Sequence, residues 1–423
     1  MTKKLAQFKP LIPLILIALG ITFSPELTVA KISEGRAVVI RLEDILIVIF
    51  GITAITRFLL AGKFKLKRPP LYLPIFFWLL IGTLSTLVNL FLQNINFARG
   101  TLYLLKEIEF FVLFFYVFYS IKNIKMVKQT MFSWLIIGGG AIALIIYQFV
   151  AGFRYGDYGQ SLYKEVGPLP SGGFFLVLFT YLFSYLLYYF LNLKISKLKK
   201  VLLSIPIFSL MIGIFSSGSR AAFAGLMFTL VLSIILFAIK SRRYIKQILG
   251  GAAILFIVVI VVIFLLPSSF APAGRFRTTF NLQNMAAEAV SPRFNISESQ
   301  LQTVPANLKY VLFGMGKSVY LTLEESHNQY TRNLIETGIV GSIIFLILIF
   351  AVLKYSITAF LKRTDGLSVG LAAACFVTTL TLLFIGLTAE VFLVVRVMMI
   401  YWFMTAITMF VITENRPNND YAG

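Results

Sequence analysis

Ser326-His327-Asn328-Gln329-Tyr330-Thr331-Arg332-Asn333-Leu334-Ile335-Glu336-Thr337-Gly338-Ile339-Val340-Gly341 closes the one long polar stretch of this chain and drops straight into an apolar run. The polar stretch begins near Pro267, is broken by Pro and Gly, and holds the chain's only histidine. Nearly everything on either side of it reads as membrane-buried helix. A single large polar loop on a multi-span protein is where chemistry or recognition at the membrane surface is to be sought.

Composition supports that frame. Apolar residues make up 59% of the 423 and charged residues 13%, about half the charged share of a soluble globular chain. Cys375 stands alone in an apolar run, which excludes an internal disulfide and a cysteine-based metal site. One histidine and few carboxylates argue against a protein-held transition metal, and no cofactor is expected. The net charge of +21 does not point to nucleic acid, because the basic residues sit in short clusters between apolar runs. That is the positive-inside pattern, and the remaining cationic excess reads against anionic membrane lipid.

The spans follow in order. Lys3, Lys4 and Lys9 precede a first apolar run, Pro10 to Phe23, which is short for a crossing that needs about 20 residues. Thr28-Val29-Ala30 after it would serve as a signal-peptide cleavage site. Further spans are expected near 44–62, 71–92, 101–120, 130–152, 171–193, 201–216, 220–239, 247–267, 337–353, 367–387 and 390–412. Alternate connections are basic, and with the N-terminus they hold 21 of the 38 Lys and Arg residues against one carboxylate, Asp365. Both termini are therefore expected in the cytoplasm, and the 267–336 loop outside.

The expected fold is all-α: a polytopic bundle of about twelve transmembrane helices with one large outward-facing loop containing short helices. It divides into N-terminal helices (1–266), the loop (267–336), C-terminal helices (337–413) and a cytoplasmic tail (414–423). Within the loop, a helix beginning near Ser326 would set His327, Tyr330 and Leu334 on one face.

Two separated motifs resemble the O-antigen ligase and O-antigen polymerase superfamily of bacterial envelopes. One is Ser216-Ser217-Gly218-Ser219-Arg220-Ala221-Ala222, at the outer end of a hairpin of spans. The other is Phe313-Gly314-Met315-Gly316, followed by His327-Asn328-Gln329-Tyr330 and Leu334-Ile335-Glu336-Thr337-Gly338-Ile339-Val340-Gly341. Ser291-Pro292-Arg293 lies between them. The resemblance covers roughly Leu202 to Phe360. It implies a metal-independent, inverting glycosyltransferase in the bacterial cytoplasmic (inner) membrane. The implied donor is a glycan on undecaprenyl diphosphate, and the acceptor a glycan, lipid or protein hydroxyl. It assigns Arg220 and Arg293 to the diphosphate and His327 to activation of the acceptor. The aromatic residue often found shortly after the loop arginine has only Phe294 as a counterpart.

The residue types suit those tasks. A departing diphosphate needs positive charge aimed at it. No Asp-x-Asp pair is present to hold a metal, and arginine pairs bidentately with phosphate and stays charged. Arg220 begins a span, where the helix N-terminus adds partial positive charge and free N–H groups. Ser217 and Ser219 fit two roles there, donating to phosphate or capping the helix. A histidine, with an ordinary pKa near 6.5, suits proton removal near neutrality, and equally suits a helix start beside Glu324 or Glu325. Asn328 and Tyr330 fit orientation of the histidine or sugar, or capping and packing. Arg396, inside an apolar span, reads as a partner of Glu390 or of the carrier's phosphates; Lys106 and Glu109, three apart, read as a pair.

A transporter, such as a lipid-linked oligosaccharide flippase, shares the span count. Against it, no inverted repeat is seen, and the charges gather at one outer face.

Overall fold

A computed structural model describes residues 11–24, 26–33, 36–60, 68–153, 162, 169–192, 196–240, 299–302, 304, 307–317 and 327–414. The expected span at 247–267, the loop from 267 to 298 with Arg293, and the tail from 415 lie outside the described residues.

The first half of the described chain contains α1 (Leu11–Phe23), α2 (Leu42–Leu60), α3 (Tyr72–Phe91), α4 (Phe97–Ser120), α5 (Ile124–Val150), α6 (Leu169–Asn192), α7 (Lys197–Ser216) and α8 (Arg220–Lys240). After it come α9 (Leu308–Phe313), α10 (Gln329–Lys362), α11 (Gly366–Gly386), a 3-10 turn (Val391–Leu393) and α12 (Val395–Thr413). Among the described residues seven helices, α3, α5, α6, α8, α10, α11 and α12, are long and apolar enough to cross a membrane. Phe91, Val150, Phe350 and Ile136 stand exposed on the outside of the bundle, as lipid-facing side chains do.

Short polar side chains start the helices where the sequence offers them. Asn96 accepts from Arg99 N (3.3 Å) ahead of α4, Asn123 from Met126 N (3.0 Å) ahead of α5, and Asp365 from Ser368 N (2.9 Å) ahead of α11. Each satisfies an N–H that the first helical turn would leave unpaired.

The all-α expectation misses one element. Glu26–Ser33 and Arg36–Arg41 pair as an antiparallel hairpin between α1 and α2, with Glu26 opposite Arg41 and Ser33 opposite Arg36. Thr28-Val29-Ala30 therefore sits in a strand. The run before it is packed helix: Leu14, Ile17 and Ile21 of α1 are fully buried in the main core.

The helices α6 and α12 are the most enclosed. Around them Trp134, Phe174, Phe403 and Tyr401 fill the centre. Threonine hydroxyls stitch neighbouring helices together, Thr180 to Thr229 (3.2 Å) and Thr229 to Thr381 (2.9 Å), as polar groups do in a bundle without water. Cys375 is buried among them.

Candidate functional site

The serine-rich motif forms the turn from α7 into α8. Gly218 takes a φ of +67°, and Ser217 Oγ donates to Ile214 O (2.7 Å) while accepting from Ser219 N (3.2 Å). Ser219 Oγ accepts from Ala222 N (3.2 Å) and caps α8. Both serines are buried, so their described bonds brace the turn. Arg220 is the first residue of α8 and is half-buried. The start of α6 presses against this turn at Gly172, where a Cβ would lie 2.7 Å from Ser217 Oγ.

The histidine motif forms the start of α10. Asn328 caps the helix: its Oδ1 accepts from Tyr330 N (2.9 Å) and Thr331 N (3.2 Å). The short acceptor side chain of Asn wins that position. His327 consequently stands before the helix at φ +50°, half-buried, and does not share a helical face with Tyr330 and Leu334. Asn328 Nδ2 donates to Leu387 O (3.3 Å) and Tyr330 Oη to Leu383 O (2.8 Å), fastening this start to the last turn of α11.

The same last turn receives α8. A Cβ on Gly225 would touch Ile385, and the Phe228 and Phe384 rings stack at 4.7 Å. Arg220 lies five residues before Gly225, about 7 Å further along the axis. Arg220, the first residue of α8, and His327, just ahead of α10, thus stand at the same end of the bundle, and both helices pack on the end of α11. Gly173 meets Val397 at this end too. The helices α6, α8, α10 and α12 all begin here, and their N-termini turn partial positive charge toward it.

Behind His327 lies a buried charged network that only its i, i+4 pair made readable in the sequence. Arg332 Nε donates to Glu336 Oε1 (2.9 Å), and Arg332 Nη1 pairs with Glu390 ahead of the 3-10 turn. Lys317 Nζ lies 3.2 Å from Glu336 and 3.3 Å from Glu107, over the Trp78 ring at 4.8 Å, while Trp78 Nε1 donates to Glu107 Oε1 (2.7 Å). Burial pushes the Lys317 ammonium down, but Glu107 and Glu336 more than offset it and hold its pKa above the ordinary lysine value. Glu107 and Lys317 are 210 residues apart, so no local spacing could reveal them.

The glycines of the second motif are explained by the same junction. Met315 N donates to Ile335 O (2.7 Å) and Gly316 N to Glu336 O (3.0 Å). The turn after α9 is thereby laid against a break in α10 at Gly338, whose φ is 67° and ψ −169°. Ser85 Oγ donates to Glu336 O (2.8 Å) and Asn89 Nδ2 to Gly314 O (3.1 Å), so α3 clamps the pair.

Arg396, the second residue of α12, stands at this end too but is fully buried and turned to α1 and α2. Its Nη1 donates to Glu43 Oε1 (2.7 Å) and Ile21 O (3.0 Å), its Nη2 to Ser24 O (3.0 Å). The expected Glu390 partner is taken by Arg332. Lys106 does pair with Glu109 (2.9 Å), and also with Asp44 (2.6 Å). Among the described residues no group of three His, Cys, Asp or Glu is placed to hold a metal.

The fold and this end of the bundle define a multi-span membrane protein with a polar site where two helices begin. Residues 205–346 match the family model described as O-antigen ligase, and over that stretch the chain is similar to that family. The match covers about a third of the chain and contains both motifs. A search of the curated proteins found no match.

Proposed function

We propose that the protein is an inverting glycosyltransferase. It moves a glycan from undecaprenyl diphosphate to an acceptor hydroxyl on the outer face of the bacterial cytoplasmic membrane, as a ligase or polymerase of surface polysaccharide. The observation that carries the reading is the placing of Arg220 and His327, from two separate motifs, at one end of the bundle beside the end of α11. The family match supports glycosyl transfer in general; donor, acceptor and sidedness belong to the proposal.

His327 accepts the proton of the acceptor hydroxyl. The hydroxyl oxygen attacks the anomeric carbon from the face opposite the diphosphate. The bond from that carbon to the diphosphate oxygen breaks, and its electron pair leaves with the diphosphate. Arg220, aided by the N-terminus of α8 and by Arg293 from the loop, stabilises the departing charge. Asn328 and Tyr330 hold the start of α10 on α11 and so set where His327 stands. Ser217 and Ser219 set where Arg220 stands. The cationic side chains supply the charge that a divalent metal supplies in other glycosyl transfers, so the reaction is expected to run in chelator. The closed pairing of Arg396 favours a structural task for it over substrate binding.

The test is surface glycan in cells lacking the native protein and carrying wild type, His327→Ala, Arg220→Ala or Arg293→Ala at matched levels, with lipid-linked intermediates extracted in parallel. Loss of surface polymer with lipid-linked glycan accumulating outside is the expected result. Accumulated single repeat units mark a polymerase, and accumulated long chains a ligase. Wild-type display by all three variants would overturn the site.

A further inference from the structure

At the end of the bundle opposite His327, α10 and α12 finish side by side. A groove of about 260 Å³ opens between them, lined by Lys354, Tyr355, Thr358, Lys362, Arg363 and Ile412. That is the room of roughly eight or nine liquid waters. Lys354, Thr358 and Lys362 succeed one another at four-residue steps, forming a ridge about 12 Å long on one face of α10. All three are exposed. The same helix exposes Leu346, Ile347, Phe350 and Leu361, a surface suited to hydrocarbon. The groove therefore joins a lipid-facing wall to a cationic rim.

Its electrostatics favour an anion. Two helices end here, and their last carbonyls would repel negative charge. Those carbonyls are already engaged. Lys240 Nζ donates to Phe360 O (2.5 Å), Leu361 O (3.0 Å) and Arg363 O (2.9 Å), and Arg363 Nη2 to Ile412 O (2.8 Å). Asp365 is turned to Ser368 N as the cap of α11. Among the described residues Lys354, Lys362 and Arg363 enter no ion pair. The acids beside the groove are Asp365 and Glu414, whose carbonyl accepts from Arg363 Nη2 (3.4 Å), and three cations outnumber them.

We propose that this groove binds the phosphate headgroup of an anionic phospholipid, with its acyl chains along the exposed apolar face of α10. The ammonium groups and the guanidinium meet the phosphodiester, and the Tyr355 and Thr358 hydroxyls can donate to its oxygens. A zwitterionic choline headgroup is disfavoured because it brings its own cation to the lysines.

The full chain, purified in mild detergent, is incubated with equal amounts of phosphatidylglycerol and phosphatidylcholine, and the lipids it retains are weighed by native mass spectrometry. Wild type should keep phosphatidylglycerol over phosphatidylcholine by about thirtyfold, as two lysines at about 1 kcal/mol each imply. Lys354→Gln with Lys362→Gln should lose that preference, and Lys354→Arg with Lys362→Arg should keep it. Lys122→Gln with Lys128→Gln, exposed at the same end but outside the groove, should leave it intact. Equal retention of the two lipids by wild type, or an undiminished preference in the groove Gln pair, overturns the proposal. So does displacement of phosphatidylglycerol by millimolar inorganic phosphate, which would mark a site for free anions.

Discussion

Gly314 and Gly338 each exclude a side chain because of the segment that carries the other. A Cβ on Gly314 would stand 2.4 Å from the carbonyl of Glu336, and one on Gly338 would stand 2.3 Å from Leu312 O; both residues hold positive φ. Both also take a φ and ψ that only glycine adopts readily. Gly314→Ala and Gly338→Ala should each lower the stability of the purified protein by about 1–3 kcal/mol from backbone strain alone, with overlap adding to it. Thermal melting in detergent measures this, and two variants that melt with wild type would show the junction to be absent.

Lys317 ties this junction to α4 through Glu107. Lys317→Met leaves Glu107 buried with only the Trp78 N–H, and breaking a buried pair in this way costs about 3–5 kcal/mol. Adding Glu107→Leu removes the stranded carboxylate. The double variant should melt above the single one, with a coupling of about 1 kcal/mol or more. Strictly additive effects would mean that the two side chains do not meet.

Histidine and arginine variants should separate site from scaffold. His327 is half-buried, and Asn tolerates its left-handed backbone. His327→Asn should therefore stay within about 0.5 kcal/mol of wild type in stability while surface glycan is lost. Arg396→Met should do the reverse at the level of the protein, lowering its melting temperature and its abundance in the membrane. Glu43→Leu added to Arg396→Met should recover part of that loss. Full stability of Arg396→Met, with glycan lost, would move Arg396 into the site.

Lys240 caps α10 from a different helix. Lys240→Met frees three carbonyls and should cost about 1.5–3 kcal/mol, the usual worth of a hydrogen bond to a charged donor. Lys240→Arg should recover most of it. Faster amide exchange confined to the end of α10 in Lys240→Met is the local signature.

The span pattern was largely legible because apolar runs of about 20 residues have few other readings. The expected 71–92, 220–239 and 367–387 became Tyr72–Phe91, Arg220–Lys240 and Gly366–Gly386. The hairpin was not read, although Thr28, Val29 and Ile32, then Val38, Val39 and Ile40, are strand-forming residues either side of Glu34-Gly35. Long apolar neighbours masked that short signal. The expected boundary at 337 coincides with the Gly338 break in α10, where non-helical φ and ψ separate the polar opening segment from the apolar span. At the candidate site, Ser219 and Asn328 were legible as caps. The partners of Lys317 and Arg396 were not, because Glu107 and Glu43 lie 210 and 353 residues away along the chain.

Arg396 also bears on the order in which the protein is made. The end of α1, Glu43 on α2 and the start of α12 meet at one guanidinium. During synthesis the first two helices enter the bilayer long before residue 396 leaves the ribosome. Until then Glu43 has no cation and the carbonyls of Ile21 and Ser24 have no donor from it. The segment of α1 and α2 is thus left unfinished until α12 has been made, and arrival of α12 is the event that closes it. Nascent chains halted before α12 should expose α1 and α2 to quality-control proteases, and chains that include it should resist them.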